Sequence, residues 1–166
     1  MMIITLLLSL MLMAGLFLML LSGVGFIQDT KFFSSAPKEV RDVIKPQEER
    51  FKGAHAIGWI MAVFSMLLMI GAFIIGAWNG IHNDFGFRQF FIRFTVMILL
   101  LKAFDILFFD WVLLCNAGFN FFPHFYPETK EVLGQYLFGY NRKTHLAHII
   151  GSFVVAAVLA WVCSLI

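Results

Sequence analysis

The stretch MILLLKAFDILFFDWVLLC, Met97 to Cys115, decides how this chain is read. It is apolar enough for a bilayer interior, yet it carries Lys102, Asp105 and Asp110. An unpaired charge at the centre of a membrane helix costs about 2.5–3.5 kcal/mol on insertion scales, so such groups pair, face a hydrated cavity or lie near a boundary. Lys102 and Asp105 are three residues apart and share an α-helix face, whereas Asp110 lies roughly 140° around the helix from Asp105. Counted back from Cys115, Asp105 is about 15 Å deep and Asp110 about 7 Å, so the first falls near mid-membrane and the second near the boundary. For Lys102 and Asp105 the spacing admits a structural pair that fixes helix packing and also a site for an ion, a proton or a headgroup. Asp110, beside Trp111, suits an interfacial partner for Arg142 or Lys143.

Outward from that stretch, the composition fits the same setting. The chain has 166 residues, 61% hydrophobic and 13% charged, with 21 Phe and 9 Met. A soluble domain of this size has too little polar surface to cover that excess. Four apolar runs are long enough to cross roughly 30 Å of hydrocarbon: Met1–Ile27, Ala54–Ile81, Phe90–Cys115 and Leu146–Ile166. The expected fold is therefore an all-α membrane protein, one domain of four transmembrane helices in a bundle. The first run has no Lys or Arg before it and exceeds a signal-peptide core in length, so it reads as a retained helix.

Loop charges give an orientation. The first loop carries Lys31, Lys38, Arg41, Lys45, Arg50 and Lys52, and the third carries Lys130, Arg142 and Lys143. Only Arg88 and Arg93 flank the second, where they can snorkel from the next helix start. This bias puts loops one and three in the cytoplasm and both termini outside, in a membrane of the bacterial cytoplasmic type. The net charge of +2 reports that topology, and no nucleic-acid motif is present. Cys115 and Cys163 fall at opposite ends of their spans, too far apart for a disulfide within one chain.

Two loops carry structure of their own. In the first, Pro37 suits the opening turn of a short helix with Val40, Val43 and Ile44 on one face. Pro46 suits the start of a second helix, which is expected to run on through the second span; from Pro46 to Ile81 it would be about 54 Å long. The third loop, NAGFNFFPHFYPETKEVLGQYLFGYNRKTH, holds Phe119, Phe121, Phe122, Phe125, Tyr126, Tyr136, Phe138 and Tyr140. So many aromatics suit an interfacial or re-entrant segment rather than a solvated linker.

Histidine supplies a second candidate cluster. His145 and His148 open the fourth span, His55 opens the second, and Asp110 ends the third on the same side of the membrane if the orientation holds. His124 and Glu128 join them if the aromatic loop folds back. Two histidines and a carboxylate have the donor types for zinc or iron, and His55 opposite His148 has those for haem, but an HxxH spacing does not by itself specify a metal or cofactor. His82, in the turn on the other side, falls outside the cluster.

ERFKGAH, Glu49–His55, resembles the basic motif that opens the second helix of the membrane-associated eicosanoid and glutathione metabolism family. YLFGYNR, Tyr136–Arg142, resembles the segment before that family's fourth helix. The resemblance implies a trimer binding glutathione through Arg50, Tyr140 and Arg142 on the cytoplasmic side. The chain departs from the pattern at Ile57 and Met61, where polar residues follow in the family, and in its longer third loop.

The functional expectation is a polar intramembrane site open to the cytoplasm, built from Lys102, Asp105, Asp110, His55, His145 and His148, with His124, Glu128, Tyr140 and Arg142 as loop contributors. It would handle an ion or a small amphipathic molecule. A membrane enzyme and an accessory subunit of a larger membrane complex are the alternatives, and a small bundle of this kind is expected to form a homo-oligomer or join such a complex. No nucleophile motif, phosphate loop or dinucleotide fingerprint is present.

Overall fold

The computed structural model describes residues 1–33, 36, 38–115, 121–133 and 142–166. Among them all regular structure is helical: α1 (Met2–Leu21), α2 (Lys38–Val43), α3 (Ala54–Ile81), α4 (Phe87–Phe104), α5 (Phe121–Phe125) and α6 (Arg142–Ser164). Two π-helical segments, Ser22–Ile27 and Asp105–Cys115, continue α1 and α4, and 3₁₀ turns cover Thr30–Phe33 and Pro127–Glu131.

Three helical stretches are long and apolar enough to cross a membrane: Met2–Ile27, Ala54–Ile81 and His145–Ser164. The expected third span, Phe90–Cys115, does not join them. Its helical stretch carries Arg88, Arg93, Lys102, Asp105 and Asp110 and changes from α to π at Asp105.

Two helices, α3 and α6, enclose small residues and turn large apolar ones outward. On α3 the enclosed positions are small: Ala54, Gly58, Ala62, Ser65, Ala72, Gly76 and Gly80. Its outward positions are large and apolar, including Trp59, Ile60, Phe64, Leu67, Ile74 and Trp78. On α6, Ser152, Ala156 and Ala160 are buried while Ile150, Val154, Val158 and Trp161 are exposed. Small residues let helix backbones approach closely. On α1, the Thr5 and Ser9 hydroxyls donate to the carbonyls of Met1 (3.1 Å) and Thr5 (2.8 Å), so both side chains are buried without an orphaned donor.

The chain divides into two compact units. The first, residues 1–16, 66–104 and 141–166, has a core of Leu8, Leu12, Ala72, Phe90, Phe94, Met97, Ala156 and Ala160. Here α4 packs on α6, and Gly80 of α3 lies directly under the Phe90 ring, where a Cβ would collide with it. The second unit, residues 17–65 and 105–140, buries Val24, Ile27, Val40, Ile44, Phe109, Leu113, Phe122 and Leu133.

The short helix after Pro37 forms as expected, with Val40 and Ile44 buried and Val43 half-buried. The helix expected from Pro46 does not. Gly53 adopts φ +95°, a conformation that favours glycine, and the chain becomes helical only at Ala54. The Glu49 carboxylate accepts the backbone N–H groups of Gly53 and His55, each at 3.0 Å, and so caps the helix start. The 28 residues of α3 then span about 42 Å.

Candidate functional site

The second π segment re-aims the carboxylates of the opening stretch. In a π-helix the N–H of residue i+5 bonds to the carbonyl of residue i, so Asp105 and Asp110 lie one turn apart on the same side of Asp105–Cys115. The 140° separation expected from α geometry does not hold there. Both aspartates are half-buried, and Phe109 between them in sequence is buried. The segment rests on the end of the first apolar stretch, where Phe108 meets Phe17 edge-on at 5.9 Å.

Lys102 closes α4 in the first unit, half-buried, and its pairing with Asp105 stays an expectation from spacing. The expected histidine layer divides between the units. His55 belongs to the second, half-buried, with Nε2 enclosed and lacking a hydrogen-bond partner. His145, half-buried, and His148, exposed, belong to the first, where the His148 carbonyl accepts the Ser152 hydroxyl at 2.7 Å. Among the described residues, no three His, Cys, Asp or Glu side chains are grouped so as to hold a metal ion.

The described part of the third loop, residues 121–133, packs against loop one within the second unit. Glu128 accepts the backbone N–H of Lys45 at 3.1 Å and the side-chain amide of Gln47 at 3.4 Å, tying the Pro127–Glu131 turn to loop one. Tyr126 and Thr129 are fully enclosed beneath this clasp, and the Thr129 hydroxyl donates to the Tyr126 carbonyl at 2.7 Å. Burial, then the charges of Glu128 and Asp29, push the Tyr126 phenol above its ordinary range, so it is held protonated. The Phe125 ring packs on bare backbone at Gly25, where a Cβ would lie 3.3 Å away. His124 is exposed and meets Phe125 edge-on at 5.0 Å, and Arg50 lies over the same ring at 4.9 Å. Tyr140 and the Arg142 side chain lie outside the described residues.

Sequence reasoning misplaced one group. Arg93 does not snorkel: it is fully buried in the first unit. Its Nη1 donates to the Gly76 carbonyl at 2.6 Å, its Nη2 to Asn79 Oδ1 at 2.9 Å, and its guanidinium covers the Phe85 ring at 4.5 Å. Neutral acceptors and an aromatic face thus hold this cation, with no carboxylate among the described residues. The signal available in the sequence was Asn79, a polar residue within an apolar helix that needs a partner, three residues after Gly76.

No family model, curated protein or solved structure matches this chain. The structure gives ERFKGAH a local role: Glu49 caps α3, and Arg50 stacks on Phe125.

Proposed function

We propose that the protein is a four-helix membrane bundle that binds, and holds or moves, a small cation or cationic amphiphile at Asp105 and Asp110, in a polar site open toward loops one and three. The observation that carries this reading is the π register, which sets two carboxylates one turn apart within an apolar helical stretch. Two carboxylates on one side of a helical stretch add their fields, so a cation gains more there than beside either alone. Hydrated anions or neutral lipids gain nothing from the arrangement. The inverted polarity of α3 and α6 supports the membrane setting, with large apolar side chains facing outward. The loop-charge bias supports placing the Asp110 end on the cytoplasmic side.

Thermal unfolding of the detergent-purified chain in sodium, potassium, magnesium and tetramethylammonium chlorides tests the reading, because a ligand that binds only the folded state raises Tm. One of these cations should raise the Tm of the native chain, and Asp105→Asn and Asp110→Asn should each abolish that rise. A rise that survives in the double variant, or no rise with any of the four, overturns the assignment.

A further inference from the structure

We propose that Arg50 and His124, held together on the Phe125 ring, form a docking site for the phosphate of an anionic lipid headgroup. The site is distinct from Asp105 and Asp110 and opposite in charge, and it rests on the membrane reading of the chain.

Phe125 is the platform. Its ring is fixed against Gly25, and Phe121 meets it edge-on at 5.3 Å. The Arg50 guanidinium lies 4.9 Å and the His124 imidazole 5.0 Å from its centroid, so one ring anchors both donor groups. Both side chains are exposed, and Arg50 makes no ion pair among the described residues. The neighbouring carboxylate that would compete, Glu49, is turned away to cap α3. Guanidinium N–H groups match phosphate oxygens in geometry and charge, and their stacking on an aromatic face leaves the in-plane donors free.

A lipid is favoured over a free phosphate by what adjoins the pair. Arg50 lies four residues before α3 begins, where an apolar helix leaves the headgroup layer. Phe51, the next residue, is exposed and meets Phe26 edge-on at 6.5 Å, and in the same unit Phe32 meets exposed Trp59 at 5.9 Å. Apolar rings beside a two-donor anion site fit an amphiphile whose phosphate is attached to acyl chains.

Native mass spectrometry of the detergent-purified full chain with equal phosphatidylglycerol and phosphatidylcholine tests this. The native chain should retain phosphatidylglycerol preferentially. Arg50→Gln should cut that preference about fivefold, the loss expected for one basic group at a membrane surface. Arg50→Gln with His124→Gln should remove it, as should Phe125→Leu, which keeps both donors but removes their platform. Arg88→Gln, exposed at the start of α4, should leave it unchanged. Equal retention of the two lipids, or an undiminished preference in the double variant, overturns the site. Displacement of phosphatidylglycerol by millimolar inorganic phosphate overturns the lipid as its occupant. A chain that stays monodisperse without detergent or lipid overturns the membrane reading itself, whereas a detergent-requiring chain with no lipid preference overturns this site alone.

Discussion

In the unit formed by residues 1–16, 66–104 and 141–166, α4 meets α6 through Phe90, Phe94 and Met97 beside Ala156 and Ala160, and one buried cation, Arg93, bonds to the neighbouring α3. In the unit formed by residues 17–65 and 105–140, much of the connection is polar: Ser22 donates to the Gly58 carbonyl at 2.7 Å, Glu128 binds loop one, and Tyr126 is enclosed below. The difference follows from how the elements are made. Long α-helices satisfy their own backbone and can pack through side chains alone, whereas short helices and turns leave N–H and C=O groups that other segments must meet. Substituents of known size and charge therefore act differently in the two units.

The largest effect should come from Arg93→Ala. It leaves the Gly76 carbonyl and Asn79 Oδ1 without their donor and opens a void beside Phe85, so a stability loss of about 3 kcal/mol is expected in thermal unfolding. Arg93→Met, which keeps much of the volume, should cost less. An unchanged Tm for Arg93→Ala would show that the first unit is held by apolar packing alone.

A smaller loss should follow Gly58→Ala in the second unit. The new Cβ would lie 2.7 Å from Ile27 Cγ1 and 2.9 Å from Phe26 Cβ, an overpacking that costs about 1–3 kcal/mol. Hydrogen exchange should rise around Ser22–Ile27 while α6 stays protected. Equal loosening of both would merge the two units into one cooperative block.

Tyr126→Phe should have the smallest effect at neutral pH and a distinct one in alkali. The phenol is held above its ordinary value, so its contribution is fully present below the unfolded value near about pH 10 and is lost as pH rises toward the higher folded value. Urea unfolding measured from neutral pH upward should show a decline above that point that is shallower in Tyr126→Phe.

The apolar helices at Met2–Ile27, Ala54–Ile81 and His145–Ser164 were legible because length and composition suffice to define them. The burial of Phe122 and Tyr126 in the aromatic loop was legible too, since both gain by leaving water. The helix break at Gly53 was not, because it depends on a single positive φ and on a carboxylate reaching across the turn. Nor was the π register of Asp105–Cys115: reading side chains at 3.6 residues per turn separates positions that an i+5 bond sets on one side. Arg93 was misread because its position near a helix start suggests solvent, while the acceptors that hold it, the Gly76 carbonyl and Asn79, lie on another helix.

The length of the second π segment has a mechanical consequence. Wider turns climb less per residue, so Asp105–Cys115 is shorter than the same eleven residues in α form, which would measure about 16 Å. Rewinding it would push the chain beyond Cys115 outward along the helix axis and swing Asp110 away from Asp105. Extension and separation of charge are thus one motion, and a tie that holds the two carboxylates together also holds the helix short.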